Sequence, residues 1–219
     1  MQEELLDAVF DAVMDGDIPG APATVQAALD GGLDAETILR DGMIAAMTRV
    51  GELYECGDYY VAEMFTSAKA LQAALVVLRP MLQQSQVQAT GTVVIGTVKG
   101  DMHDIGKNLV TMMLEGAGYA VHDLGADVHP SRFVAAVEEV HPDLVALSAL
   151  LTTTMPSMQA TVDALTTAGL RERVKVMIGG APVNEEYAEH IGADGYAQDA
   201  SQAVSLANAL MQVKAQRSA

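Results

Sequence analysis

The sequence predicts an α/β protein in two parts: an N-terminal antiparallel four-helix bundle, then a doubly wound five-stranded parallel sheet. Three observations predict it. Residues 1–83 place their apolar side chains only at helical spacing. Residues 91–219 alternate short apolar runs with helical segments. A polar stretch at 84–90, containing QSQVQAT, separates the two and reads as a linker.

In the first part, Leu5, Leu6, Val9, Phe10 and Val13 share one helical face, and Gly16 supplies a stop. Pro22 opens a second short helix that Gly31-Gly32 closes. Asp34-Ala35-Glu36 starts a third, carrying Ile38, Leu39, Met43, Met47, Val50 and Tyr54. A turn at Cys56-Gly57-Asp58 leads to a fourth, with Val61, Met64, Phe65, Ala68, Leu71, Leu75 and Leu78, limited or kinked at Arg79-Pro80. Four helices on short loops suggest an antiparallel bundle.

In the second part the expected strands are 92–98, 120–125, 144–150, 174–180 and 194–198. Helical segments fall at 105–117, 130–140, 156–169, 183–190 and 199–213. Strict alternation implies parallel strands with helices on both faces, a flavodoxin-like or Rossmann-like order. Ligands on such sheets bind beyond the carboxyl ends of the strands, near the point where strand order reverses.

Composition narrows the function. The chain is half hydrophobic, enough for real cores, and its 13 Met residues supply pliable packing. Net charge is −17, with no Lys or Arg before Arg40 and no basic cluster. That argues against nucleic acid and against an anionic membrane surface as partners. One cysteine, Cys56, permits neither an intramolecular disulfide nor a Cys-based metal cluster, which fits a reducing, cytoplasmic setting. The N-terminal MQEELLDAVFDAVMDG lacks the marks of a signal peptide, and no membrane span is expected.

Three features meet at the carboxyl edge of the expected sheet: GDMHDIG after the first strand, Ser148 to Thr154 after the third, and Gly179-Gly180-Ala181-Pro182 after the fourth. Asp101 two residues before His103 is the sharpest. A carboxylate beside an imidazole fixes its tautomer and raises its basicity, the usual support of a metal-binding histidine. A loop histidine bonded to a turn aspartate is the plainer alternative. His122, His129, His141 and His190 lie within a strand or at helix boundaries, so a cage of several protein ligands is not expected. A metal at His103 would therefore arrive in a cofactor carrying its other ligands. Ser148 and Thr152-Thr153-Thr154 offer hydroxyls that hold a ligand or extend an Asp–His relay, or simply cap the next helix. Gly179-Gly180 admits a close approach or makes a tight turn, and Gly106 leaves room beside the first helix. No G-x-G-x-x-G follows the first strand, so a dinucleotide site is disfavoured.

Together these segments resemble the cobalamin-binding domain of cobalamin-dependent methyltransferases and mutases, whose signature is D-x-H-x-x-G, S-x-L and G-G in that order. Here they read Asp101-Met102-His103-Asp104-Ile105-Gly106, Ser148-Ala149-Leu150 and Gly179-Gly180. The stretch MTRVGELYECGDYYVAEMFTSAKALQAALVVLRPML resembles the helical cap of methionine synthase and of small corrinoid proteins of methanogens and acetogens. The resemblance covers nearly the whole chain, without a barrel for a methyl donor or an activation domain. It points to a stand-alone corrinoid protein.

The resemblance implies cobalamin bound base-off, with His103 as lower cobalt ligand, Asp101 orienting it and Thr154 at the third relay position. Gly100, Met102, Asp104, Ile105, Gly106 and Leu150 would line the cofactor. Ser148 and Thr152 would contact the displaced nucleotide tail, and Gly179-Gly180 would give it room. Tyr59, Tyr60 and Met64 would cover the methyl-bearing face, with 84–90 as hinge. His103 would leave and return in each cycle, the Asp101–His103 pair taking up a proton when it leaves. The implied role is methyl carriage between a substrate-specific methyltransferase and an acceptor methyltransferase using tetrahydrofolate or a thiol, with a corrinoid-reactivating protein as a further partner. Methanol, methylamines, quaternary amines and methoxylated aromatics stay open as donors. The alternatives are a mutase subunit, disfavoured by the four-helix cap, a cobalamin-dependent sensor, disfavoured by the charge and the missing helix-turn-helix, and a flavin-binding flavodoxin-like domain.

Overall fold

The computed structural model describes residues 2–85 and 89–217. The chain divides into two compact units, Met1–Thr90 with Glu115–Gly118, and Gly91–Leu114 with Tyr119–Ala219.

The first unit is helical. Helix α1 (Gln2–Met14) buries Val9 and Val13 and ends before Gly16, whose φ of +66° suits glycine. Helix α2 (Ala21–Asp30) starts with a proline in its first turn. Asp34 caps α3 (Ala35–Thr37): its Oδ1 accepts the Thr37 N–H at 2.9 Å and its Oδ2 the Thr37 hydroxyl at 2.7 Å. The expected third helix then departs from the α geometry. Ile38–Ile44 forms a π-helical stretch before the chain resumes as α4 (Ala45–Cys56). Gly42 lies in that stretch against α1, where an added Cβ would sit 3.0 Å from Val9 and 3.3 Å from Leu6. Gly57, at φ +82°, closes α4.

Helix α5 (Val61–Ser85) carries two differences from expectation. It continues through Pro80 instead of ending there. Pro80 removes one N–H bond, to the carbonyl of Val76, and Val76 is exposed, so water can satisfy that oxygen. The helix thus occupies the start of the stretch expected as linker and hinge, whose residues 86–88 lie outside the described residues. By length and composition alone, Val61–Leu82 is also apolar enough to cross a membrane. Its buried residues, Met64, Ala68, Leu71, Leu75 and Leu78, recur at helical spacing, and α5 packs on α1, α2 and α4, the pattern of a core helix.

The second unit is a five-stranded parallel sheet of order β2-β1-β3-β4-β5. The strands are β1 (Thr92–Thr97), β2 (Ala120–Asp123), β3 (Leu144–Ser148), β4 (Lys175–Gly179) and β5 (Gly195–Ala197). Helices α6 (Ile105–Gly116), α7 (Pro130–Val140), α8 (Pro156–Thr167), α9 (Glu185–Ile191) and α10 (Ala200–Arg217) connect or follow them. Strands β1, β3 and β4 are apolar throughout their middles because helices cover both faces. Each strand is one or two residues shorter than expected, mainly because the runs continue into the carboxyl-edge turns. Val98, for example, leaves β1, donates its N–H to the Ser148 carbonyl at 3.0 Å and makes an isolated bridge to Val128.

Strand order reverses between β1 and β3. There the register aligns Thr97 with Ser148, Ser148 with Gly179, and Gly179 with Ala197. Four elements thus end in one row, and the loops after β1 and β3 flank the switch point.

Candidate functional site at the sheet switch point

The loop after β1 turns sharply at Gly100, φ +85°, and delivers Asp101 into the interior, where it has no exposed surface. An ionised carboxylate in such a place costs several kcal/mol unless it is fully hydrogen-bonded. Five donors surround it. Oδ1 accepts the His103 N–H at 3.0 Å and faces His103 Nδ1 at 2.7 Å. Oδ2 accepts the N–H groups of Leu150 at 2.8 Å and Leu151 at 3.3 Å, and the Thr154 hydroxyl at 2.7 Å. That hydroxyl has one proton and a second acceptor in reach, the Leu151 carbonyl at 2.8 Å. The charged acceptor makes the stronger bond. Burial by itself would raise the Asp101 pKa. The bonds from the His103 N–H, the Thr154 hydroxyl, the Leu150 N–H and the His103 ring outweigh it and hold the carboxyl far below the usual carboxylate range.

An ionised carboxylate can only accept, so His103 Nδ1 carries a proton, and in the neutral ring the lone pair is on Nε2. The His103 side chain is half exposed, and no described residue hydrogen-bonds Nε2. Thr97, at the end of β1, donates its hydroxyl to the His103 carbonyl at 3.2 Å. The result is a fixed, outward-facing imidazole with one free nitrogen and a buried negative charge behind it.

No group of three or more His, Cys, Asp or Glu among the described residues could hold a metal ion. A metal at Nε2 must therefore bring its other ligands with it. The surroundings suit a large, planar, largely apolar ligand. Met102 and Ile105 are 71% and 84% exposed, and Leu150 and Leu151 are also exposed in the facing loop. A Cβ added to Gly106 would meet nothing within 4 Å.

Comparison with known proteins identifies the family. Residues 91–205 match the B12 binding domain family, and residues 5–79 match a second B12 binding domain family. The chain belongs to the B12-binding family. It is 42% identical to dimethylamine corrinoid protein 1 of Methanosarcina acetivorans, over 96% of this chain and 99% of that protein. It is 39% identical to trimethylamine corrinoid protein 1 of the same organism, over 96% of this chain and 98% of that one. Among solved structures, the methanol:cobalamin methyltransferase complex of Methanosarcina barkeri superposes with a TM-score of 0.85 at 30% identity, over 95% of this chain and 80% of that one. A cobalamin-binding protein from Desulfitobacterium hafniense gives 0.78 at 36% identity, covering 94% and 98%.

In this B12-binding chain the other expected residues separate into groups. Asp101, His103 and Thr154 form one hydrogen-bonded set, and Ser148 and Gly179 are register neighbours in the row beside it. Gly180 has φ +129°, and a Cβ there would fall 1.8 Å from the Ala149 carbonyl oxygen, so no other residue fits that turn. Thr152 is exposed in the loop, unlike buried Thr154. Asp104 directly precedes α6, and its carbonyl accepts the Asn108 N–H at 2.7 Å, where a negative side chain favours the helix start. Tyr59, Tyr60 and Met64 belong to the first unit. Met64 is buried, Tyr59 donates a long hydrogen bond to the Met14 carbonyl, and Tyr60 is exposed.

Three residues around the site were not expected from the sequence. Lys107 is buried, with Nζ donating to Asn108 Oδ1 at 2.7 Å and to Asp123 Oδ2. Asp127 bonds Gly100 and Asp101 across the sheet edge. Tyr187, on α9, donates its hydroxyl to the Met155 carbonyl at 2.7 Å and so braces the loop that carries Thr154. Only the Asp127 position had a readable hint, an aspartate in a loop two residues after a glycine.

Proposed function

We propose that this chain is the corrinoid methyl carrier of a methyltransferase system acting on small methylated compounds such as methylamines or methanol. The likeness to the dimethylamine and trimethylamine corrinoid proteins and to the methanol:cobalamin methyltransferase complex supports that class. Bound cobalamin supplies a cobalt nucleophile that accepts a methyl group and hands it on. His103 is the lower ligand, through Nε2. Ser148, Thr152 and the Gly179-Gly180 turn receive the displaced nucleotide tail. A substrate-specific methyltransferase supplies the methyl group, an acceptor methyltransferase removes it, and a reactivating protein restores the carrier.

One observation carries the reading: His103 Nδ1 is 2.7 Å from a buried carboxylate that four further protein bonds hold in place. The carboxylate fixes the tautomer of the neutral ring, so Nε2 is the nitrogen offered to a metal. When Nε2 is released it can take a proton, and the resulting imidazolium faces Asp101. Release is therefore coupled to proton uptake at Nε2, with Thr154 keeping the carboxylate in line. The test is His103→Ala loaded with methylcobalamin. The absorption spectrum should change to that of the ligand-free lower face, and an unchanged spectrum rejects axial ligation by His103.

A further inference from the structure

The carboxylate of Asp101 is held by the loop after β3, but its backbone is held by something else: the segment between β2 and α7. The Thr97 N–H donates to the Gly125 carbonyl and the Val128 N–H to the Thr97 carbonyl, both at 2.9 Å, and Val98 bridges Val128. Beyond that short ladder Asp127 takes over. Its N–H donates to the Asp101 carbonyl at 2.9 Å. Its Oδ1 accepts the Gly100 N–H at 2.6 Å. One residue thereby brackets the two residues from which the His103 loop hangs. To do so Asp127 adopts φ +55°, in the left-handed region that only Gly, Asn and Asp enter readily. The same segment fastens the far end of the loop, because Asp123 pairs with buried Lys107 in the first turn of α6. Asp123 is itself braced by the Gly125 N–H at 2.8 Å.

We propose that Asp127 is a positioning residue for His103: by bracketing Gly100 and Asp101 it fixes the loop backbone from which the His103 ring would be presented to the cofactor. The proposal rests on His103 being the cobalt ligand. Asp127 makes no hydrogen bond to His103 and acts through Gly100 and Asp101.

The left-handed φ supplies a clean set of variants. Asp127→Gly keeps the backbone conformation and removes the acceptor. Asp127→Asn keeps both the conformation and an acceptor oxygen and removes only the charge. His103→Ala is the reference. For each full-length variant three quantities are measured: the spectrum of bound methylcobalamin, its dissociation constant, and the exchange rate of the Gly100 amide in the cofactor-free protein. Asp127→Gly should move the spectrum part-way toward that of His103→Ala and weaken cofactor binding about tenfold, the usual size of effect for a group that orients a metal ligand. Its Gly100 amide should exchange at least about tenfold faster, as expected for a backbone bond opened locally. Asp127→Asn should stay within about threefold of wild type on each measure. If His103→Ala changes the spectrum and Asp127→Gly does not, the proposal is overturned and the ligation reading stands. If His103→Ala changes nothing, the ligation reading falls and takes the proposal with it. Should Asp127→Gly fail to fold by circular dichroism, Asp127→Ala, which also removes the acceptor, decides: a spectrum moved toward that of His103→Ala supports the proposal, and a wild-type spectrum overturns it.

Discussion

The two ends of the sheet each bury an aspartate, and they stabilise it in opposite ways. At the amino edge, Asp194 accepts Arg171 Nη2 at 2.7 Å, Lys175 Nζ at 2.6 Å and the Val176 N–H at 2.8 Å. Burial would raise its pKa, but the Lys175, Val176 and Arg171 interactions lower it. At the carboxyl edge no Lys or Arg among the described residues bonds Asp101. Its partners are neutral N–H and O–H groups and an imidazole. The first arrangement cancels a charge and closes a corner of the fold, with Arg171 also reaching the Gly192 carbonyl. The second preserves a charge and sets the His103 ring against it at 2.7 Å. Neutralised carboxylates build the frame, whereas a carboxylate held ionised by dipoles alone can tune a neighbour.

The comparison breaks first at Asp101. Asp101→Ala orphans the N–H groups of Leu150 and Leu151 and frees the His103 tautomer. Each bond to a charged acceptor is worth about 1.5–3 kcal/mol. With partial relaxation the loss of stability should be about 3 kcal/mol, read by denaturant unfolding of the cofactor-free protein. Cofactor binding should weaken by about 10–100-fold. A variant as stable as wild type that still binds methylcobalamin with a wild-type spectrum would show that the buried charge is not what organises the site.

Asp194→Asn should do half of this. Removing one partner of a buried pair leaves Arg171 and Lys175 uncompensated at a site where both are mostly buried. The expected cost is about 2–3 kcal/mol, at or below the low end of the roughly 3–5 kcal/mol for a fully buried pair, because all three side chains keep some exposure. The methylcobalamin spectrum should stay that of wild type. The pH dependence sharpens the contrast. Both aspartates titrate below the ordinary value of 3.8 in the folded state. Between their folded values and 3.8 the unfolded chain binds more protons, so stability rises with pH there. The contribution is complete above 3.8 and is lost as pH falls through the folded values. Melting temperature measured from pH 5 downward should fall less steeply for Asp194→Asn than for wild type. An identical slope would remove Asp194 from the acid-sensitive set.

These differences also explain what could be read without the structure. The sheet was legible because covered parallel strands are written as apolar runs, and the His103 loop because glycine, carboxylate and imidazole stand together after one of them. The π-helical stretch at Ile38–Ile44 leaves the hydrophobic spacing intact and hides one changed hydrogen-bond register. Pro80 reads locally as a stop, but the helix continues where one exposed carbonyl can be hydrated. Lys107 looks like any surface lysine, and its burial follows only from Asp123 sixteen residues away. Asp127 is one of 29 acidic residues, and what singles it out is a backbone angle together with a partner 27 residues distant. Local chemistry is written in the sequence, whereas a partner across the sheet edge requires the register.

Thr154 offers the finest division of the carboxyl-edge network, because its hydroxyl and its methyl do separate things. The hydroxyl donates to Asp101 Oδ2, while the Thr154 Cγ2 lies at van der Waals distance, 3.6 Å, from where a Cβ on Gly100 would be. Thr154→Val keeps the shape and the packing and deletes the donor. Thr154→Ser keeps the donor and deletes the methyl. Losing one charge-assisted bond while four others remain should cost about 1–2 kcal/mol. It should move the methylcobalamin spectrum only slightly toward the His-off form, because Leu150 and Leu151 still fix Oδ2. Thr154→Ser should keep the wild-type spectrum and lose less than about 1 kcal/mol, the share of a small packing defect. If serine shifts the spectrum as far as valine does, the position acts through packing against the Gly100 turn. The relay then ends at Asp101, and the comparison of the two aspartates has to be drawn without the third member.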